Sequence, residues 1–312
     1  MKIDWKGHAS MFGANAIWGV MSPVAKFVML SGVMSPLVVT NLRVVGAMLL
    51  FWLVSLFMKP EHVCSRDMVK LFGASLLAIV FNQGCFITGL GMTSPTNASI
   101  ITTSMPLWAM LLAAFFLKEP ITGKKVMGIA LGAFGAIMLI VGSSASAGSG
   151  SDSASSIYGD LIVMAAQLSY ALYFVLFKDF VTRYSLITTM KWMFTFAFIC
   201  LIPFSASAIS ATRWSDVTAI EWGALATVVI GATFISYILV VVGQRRLRPT
   251  VAGMYNYIQP IVACIVAILW GMDSFGISKA FAIVLIFTGV FLVTISRSRA
   301  EMNGQKARST QS

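Results

Sequence analysis

The sequence predicts an all-α integral membrane protein of ten transmembrane helices, built as two inverted five-helix repeats with both termini cytoplasmic. Three observations predict it. Only 11% of the residues are charged against 58% hydrophobic, whereas a soluble domain needs roughly a quarter charged to cover its surface. The apolar residues form ten continuous runs rather than alternating ones, which favours helices over a barrel. Finally, residues recur at fixed spacings. Asn15, Trp18 and Lys26 return 152 positions later as Gln167, Tyr170 and Lys178; Pro95, Pro106, Glu119 and Gly135 return after 154 as Pro249, Pro260, Asp273 and Gly289. A repeat with an odd number of spans enters the membrane from opposite sides in its two copies, which places a working site between the halves.

The runs cover 9–30, 36–57, 69–90, 96–117, 125–142, 158–177, 186–204, 219–242, 250–271 and 277–295. Most approach the roughly 20 residues that cross a hydrocarbon core. The first follows Lys2 and Lys6 but is too long for a signal-peptide core, so it reads as a span that stays attached. The second begins at Pro36 and carries Arg43. The third holds Asn82 and Gln83, the fourth Thr102, Thr103, Ser104 and Pro106. The fifth is the shortest and contains a G-x-x-x-G spacing, Gly128–Gly132, suited to close helix packing. Residues 143–157 are small, polar and free of basic groups, and are expected to be a flexible extracytoplasmic linker. The division is therefore a first repeat at 9–142, the linker at 143–157, a second repeat at 158–296 and a disordered basic cytoplasmic tail at 297–312. In the second repeat the sixth run holds Gln167, Ser169 and Tyr170, the eighth Ser236 and Tyr237, and the ninth Tyr255, Asn256, Tyr257, Gln259 and Pro260.

Charge gives the bundle a direction. With the N-terminus in the cytoplasm, 17 of the 22 Lys and Arg residues lie in inside regions and only Arg213 and Lys279 outside. That is a strong positive-inside bias. The net charge of +11 sits in short gaps between apolar runs, so it argues against a nucleic-acid surface. Four cysteines without metal-type spacing and two isolated histidines exclude a metal centre and leave an enzyme without acid–base machinery; neither a cofactor nor a metal is expected.

Lys26, Arg43 and Lys191 fall within spans, where an ionised group must be paired, wetted or snorkelled. Lys26 and Arg43 are placed to hold a carboxylate or another anionic group. No Asp or Glu lies deep in a span, so a membrane-buried carboxylate relay is not visible. Uncharged polar residues at matching depths in both halves complete the candidate substrate path: Asn15, Trp18, Asn82, Gln83, Thr103, Gln167, Tyr170, Tyr237, Tyr255, Asn256, Tyr257 and Gln259. Pro23, Pro106 and Pro260 are expected to interrupt helices internally and act as hinges.

The stretches AIWGVMSPVAKF at 16–27 and GLGMTSPTNASIITTSMPLWAMLLAAFFLKEPITGKKVMGIALGAFGAIMLI at 89–140 resemble the EamA-type repeat of the drug/metabolite transporter superfamily, and RPTVAGMYNYIQPIVACIVAILWGMDSFG at 248–276 is a looser second copy. The shared features are the W-G at Trp18–Gly19, an arginine in the second helix, T-S-P into the fourth and P-L followed by K-E-P. The second copy departs from the pattern in having no proline after Asp273 and no W-G at Tyr170–Ala171. The resemblance implies alternating-access movement of small metabolites through a cavity lined by helices one, three, four, six, eight and nine. The leading expectation is a secondary exporter of small polar or zwitterionic metabolites such as amino acids, in the bacterial inner (plasma) membrane. Export of amphipathic drugs or lipids, and antiport of sugar phosphates or nucleotide sugars, stay open as alternatives. The expected partners are a small-molecule substrate and the lipid bilayer, with proton coupling and a homodimer through the peripheral helices as candidates.

Overall fold

The computed structural model describes residues 4–30, 32–92, 101–146, 157–269 and 276–296. They form α-helices connected by short turns: α1 (Trp5–Leu30), α2 (Pro36–Leu56), α3 (Ser65–Ser75), α4 (Asn82–Met92), α5 (Met105–Phe116), α6 (Gly123–Ser146), α7 (Ile157–Leu176), α8 (Leu186–Ala211), α9 (Ala219–Thr227), α10 (Ser236–Arg246), α11 (Pro249–Met254), α12 (Ile258–Leu269) and α13 (Ile277–Thr294). Two joints are π-helical. Leu76–Phe81 makes α3 and α4 one rod, and Val228–Ile235 does the same for α9 and α10. A 3₁₀ turn at Tyr255–Tyr257 joins α11 to α12. Pro36–Leu56, Ser65–Gly89, Ile157–Leu176, Leu186–Ala211 and Ala219–Arg246 are long and apolar enough to cross a membrane. The protein is an all-α, multi-helix membrane protein.

Helix starts follow from local chemistry. Ser35 and Ser185 each cap a helix through the side-chain oxygen, accepting from Val38 N and Thr188 N. They stand 150 residues apart, at the same point of the two repeats. Thr218 and Glu221 form a capping box at the start of α9, satisfying donors that a helix leaves open at its first turn. At the end of α5, Lys118 adopts the left-handed conformation (φ 52°), turning the chain so that Glu119 points back into the bundle.

The packing is unchanged in kind when the two halves are exchanged. α1 lies along α10 and α12, and α7, its counterpart, lies along α4 and α5. α2 packs on α8 and α6 on α13, each helix against its own equivalent, while α5 packs on α11, the segment that precedes its equivalent α12. The α2–α8 and α6–α13 pairs run antiparallel, since Asn41 meets Ser205 while Ser55 meets Lys191, and Gly128 meets Gly289 while Gly135 meets Ala282.

The structure revises several expectations. α1 starts at Trp5, α8 runs on to Ala211, and α6 continues through Ser146 into the stretch expected as linker. Pro106 does not kink a continuous helix. It occupies the first turn of α5, after a turn at 103–104, where its missing N–H costs nothing. Pro260 likewise sits three residues into α12, behind the 3₁₀ turn. The chain therefore breaks before each proline instead of bending at it. Pro203 does lie inside a continuous helix, α8, as Pro23 does in α1. Pro23 and Lys26 lie in α1, but their side chains fall outside the described part, as do Pro95 and Asp273 altogether.

The glycines of α6 serve the close helix packing their spacing suggested: Gly128 and Gly135 meet α13, and Gly132 meets Tyr257 and Met254.

Candidate functional site

Both π segments lie beside the seam between the halves, and each offers a backbone carbonyl to the other repeat. A π turn carries its hydrogen bonds one residue further along than an α turn, leaving carbonyls for side-chain donors. Trp18 Nε1 donates to the Ala232 carbonyl at 2.8 Å. Ser169 Oγ donates to the Leu77 carbonyl at 2.8 Å. Both bonds thus run from the first helix of one repeat to the π segment of the other. In the second segment two side chains also use carbonyls five residues back: Thr233 Oγ1 donates to Val228 O and Ser236 Oγ to Gly231 O.

Around Trp18 the structure gathers aromatic and amide groups from both halves. Its ring meets Tyr170 edge-on at 6.2 Å and Tyr237 at 6.0 Å between centroids. The Tyr237 hydroxyl accepts from Gln83 Nε2 at 2.8 Å. Gln83 Oε1 and the Tyr170 hydroxyl are buried with no hydrogen-bond partner among the described residues. Buried polar atoms of this kind are uncommon in native proteins and signal an unfilled demand. Arg43 Nε donates to Thr233 Oγ1 at 3.1 Å, beside the Ala232 carbonyl that holds Trp18.

A second polar seam joins α1 to the break between α11 and α12. Asn15 is fully buried; its Nδ2 donates to Met11 O and its Oδ1 accepts from Gln259 Nε2 at 2.9 Å. Gln259 also donates to Asn256 Oδ1. Nearer the start of α1, His8 Nδ1 lies 2.6 Å from the Tyr255 hydroxyl. Gln167, which matches Asn15, is buried without a hydrogen bond among the described residues. Thr103 is buried at the turn before α5.

Two further residues expected on the path bond neighbouring helices. Tyr257 is fully buried; its hydroxyl donates to the Ile129 carbonyl, and a Cβ at Gly132 would meet its ring. It packs α12 onto α6. Asn82 Nδ2 donates to the Ala166 carbonyl at 3.0 Å, binding α4 to α7.

The end of the bundle where loops 57–64, 117–122 and 177–185 gather is tied by charge. Arg183 contacts both oxygens of Asp67, at 2.8 and 3.0 Å, and Tyr184 donates to Asp67 at 2.8 Å. Those bonds raise both the Arg183 guanidinium and the Tyr184 hydroxyl above their ordinary pKa values. Arg245 donates to the Tyr184 carbonyl. Glu61 accepts the Ser185 N–H with both oxygens. Partial burial pushes its carboxyl up, but bonds from Thr188 and Ser185 and the charge of Arg245 outweigh it, so its pKa lies below the ordinary value. Arg246 pairs with Asp4 at 3.2 Å. Lys125, its side chain 1% exposed, bonds Glu119 at 2.8 Å, and Thr250 at the start of α11 donates to the same carboxylate oxygen at 3.3 Å.

Sequence reasoning missed the π segments, Thr233, Lys125 and the His8–Tyr255 contact. A π turn leaves no mark on composition, and Thr233 lies inside an apolar run. Lys125 follows Lys124 in what reads as an exposed charged loop.

Residues 5–141 and 157–295 each match the EamA-like transporter family. The uncharacterised transporter YetK of Bacillus subtilis is 23% identical over 236 residues, covering 76% of this chain and 71% of the relative. An uncharacterised transporter of Archaeoglobus fulgidus is 23% identical over 285 residues, covering 90% and 95%. A WAT1-related protein of Arabidopsis thaliana is 23% identical over 258 residues, covering 74% and 69%. A crystal structure superposes with a TM-score of 0.74 over 93% of this chain and 97% of its own, at 17% identity. At that identity the likeness concerns the fold alone.

Proposed function

The chain belongs to the EamA-like transporter family, a family of transporters and not of enzymes, and from that premise we propose that it is a secondary exporter of small polar or zwitterionic metabolites such as amino acids. The observation that carries the reading is the Trp18–Tyr170–Tyr237 cluster. It draws on both repeats, is fastened to a π-segment carbonyl, and borders two buried polar atoms with no partner among the described residues. Aromatic faces suit the apolar part of a solute, and Gln83, Asn15 and Gln167 suit its polar ends.

The transport cycle in this reading is alternating access between two inverted five-helix repeats at 9–142 and 158–296, ten spans in all, joined by a flexible outer tether. Support comes from the antiparallel packing of α2 on α8 and of α6 on α13, which inversion requires of equivalent helices. The 17-to-2 distribution of basic residues supports cytoplasmic termini and a basic cytoplasmic tail. The tied loop end is then the inner end, and Glu119–Lys125–Thr250, Asp67–Arg183 and Asp4–Arg246 close it. Opening inward would separate these contacts. The membrane in this reading is a bacterial plasma membrane. A homodimer through α6 and α13 would use their outer faces, where Phe134, Phe281 and Phe287 are exposed. Proton coupling would rest on groups at the ends of the spans, since no Asp or Glu lies deep in one.

The test is counterflow of labelled amino acids in proteoliposomes of the full chain, with Trp18→Ala and Gln83→Ala beside the wild type. Both variants should still fold, by size-exclusion profile, with a lowered thermal midpoint for Trp18→Ala, and lose most of the exchange. Exchange kinetics unchanged in both would remove the assigned site.

A further inference from the structure

Arg43 is the charge that the transport site leaves unexplained. It is 8% exposed, and its Nε bond to Thr233 Oγ1 joins it to a neutral hydroxyl. Among the described residues it has neither a carboxylate partner nor a second hydrogen bond. A buried guanidinium without a counter-ion is expensive, and in a membrane protein such a group marks a ligand path.

Three relationships place it in the site. Thr233 follows Ala232, so Arg43 and Trp18 are held by consecutive residues of one π segment. Tyr237, further along the same rod, touches Trp18 and bonds Gln83, whose Oε1 lacks a partner. The repeat also fails to account for the charge. At the spacing of 150 that maps Ser35 onto Ser185, Asn41 maps onto Lys191 and Ser55 onto Ser205, all polar, but Arg43 maps onto Met193. Packing symmetry therefore does not call for a cation here. Lys191 is already engaged, with Nζ 2.8 Å from Ser55 Oγ and 4.7 Å from the Trp52 ring.

We propose that Arg43 receives a carboxylate of the transported solute, while Gln83 Oε1 accepts from an N–H donor on the same molecule and Trp18 and Tyr170 pack its apolar body. The substrate class is then amphipathic α-amino acids, an inference that rests on the transport reading of this site. The planar fork of a guanidinium matches a carboxylate. A single cation matches one negative charge and not the two of a phosphate monoester.

The experiment uses purified full-length protein in detergent and follows thermal protection by L-leucine, L-methionine and L-phenylalanine, each against its primary amide. At least one acid should protect the wild type, and its amide should need about tenfold more or fail altogether. Arg43→Gln should abolish the preference for the acid, and Arg43→Lys, which keeps the charge without the fork, should retain part of it. Equal protection by acid and amide, protection by no acid, or an undiminished preference in Arg43→Gln would overturn the carboxylate site. The wild-type comparison stands even if Arg43→Gln does not fold. Counterflow separates the two readings: proteoliposomes that exchange amines or neutral solutes but no acid would keep the transporter and sink the carboxylate receptor.

Discussion

Gly128 of α6 lies against the backbone of Gly289 of α13, and the same pairing recurs with the halves exchanged as Gly135 against Ala282. A Cβ at Gly128 would stand 2.7 Å from the Gly289 carbonyl oxygen, and one at Gly135 2.7 Å from that of Ala282. Small residues let helix backbones approach closely, which is how packing holds helices together where lipid supplies no hydrophobic drive. Gly289→Leu should therefore cost about 1–3 kcal/mol through forced separation and lower the thermal midpoint of the purified protein. Gly223→Ala, where a Cβ meets open space, should leave the midpoint unchanged or slightly raised.

The α2–α8 contact carries a second exchanged pair. Asn41 Nδ2 donates to Ser205 Oγ and Lys191 Nζ to Ser55 Oγ, both at 2.8 Å. A double-mutant cycle over Asn41→Ala and Ser205→Ala should give a coupling near 0.6 kcal/mol, the usual strength of an interhelical hydrogen bond in a membrane. Chemical or thermal denaturation of the four proteins measures it, and strict additivity would mean that the bond contributes nothing.

Trp18→Phe keeps a ring against Tyr170 and Tyr237 but removes the donor to the Ala232 carbonyl. A buried carbonyl left unpaired costs about 1–3 kcal/mol. The expected result is a lowered midpoint together with slower solute exchange, whereas Phe12→Ala on the exposed side of α1 should change neither.

Lys125 and Lys124 are neighbours in sequence and opposites in structure. Lys125 is buried against Glu119, while Lys124 is exposed. Lys125→Met leaves the Glu119 carboxylate without its cation, a loss of about 3–5 kcal/mol for a buried pair. Lys124→Met should stay within about 0.5 kcal/mol, as surface changes do. Side-by-side thermal midpoints decide it, and equal effects would contradict the burial.

Glu61 gives the loop end a pH dependence. Its folded-state pKa lies below the ordinary 4.5, so its stabilising contribution is fully present above that value and is lost as pH falls through the folded pKa. Thermal midpoints of the wild type should drop on acidification below pH 4.5, and Glu61→Gln should show a smaller drop over that window. Identical pH curves would exclude the Glu61–Ser185 contact as a contributor.

What the sequence made legible was set by periodicity and repetition. Apolar run length located the helices from Pro36 to Thr294 within a few residues in most cases. The spacing of 152–154 paired Trp18 with Tyr170, which the structure brings into ring contact. The direction of individual side chains was not legible. Tyr255 and Tyr257 look alike in sequence, yet one reaches His8 and the other the Ile129 carbonyl of α6, because periodicity sets two such residues on different faces without saying what each face meets. Pro106 and Pro260 signalled a break, but whether a helix bends or restarts at a proline depends on the residues before it.

The repeats are alike in architecture and unlike in chemistry. Asn15 is bonded to Gln259, but the mirror of that pair is Gln167 and Met105, which cannot bond in the same way. Arg43 and Met193 differ more sharply still. In the proposed cycle, which trades the roles of the two halves, such unmatched groups would strengthen one end state and not the other. The resting equilibrium between them would then be biased by a handful of side chains, and replacing Gln259 by Met would push it back toward parity.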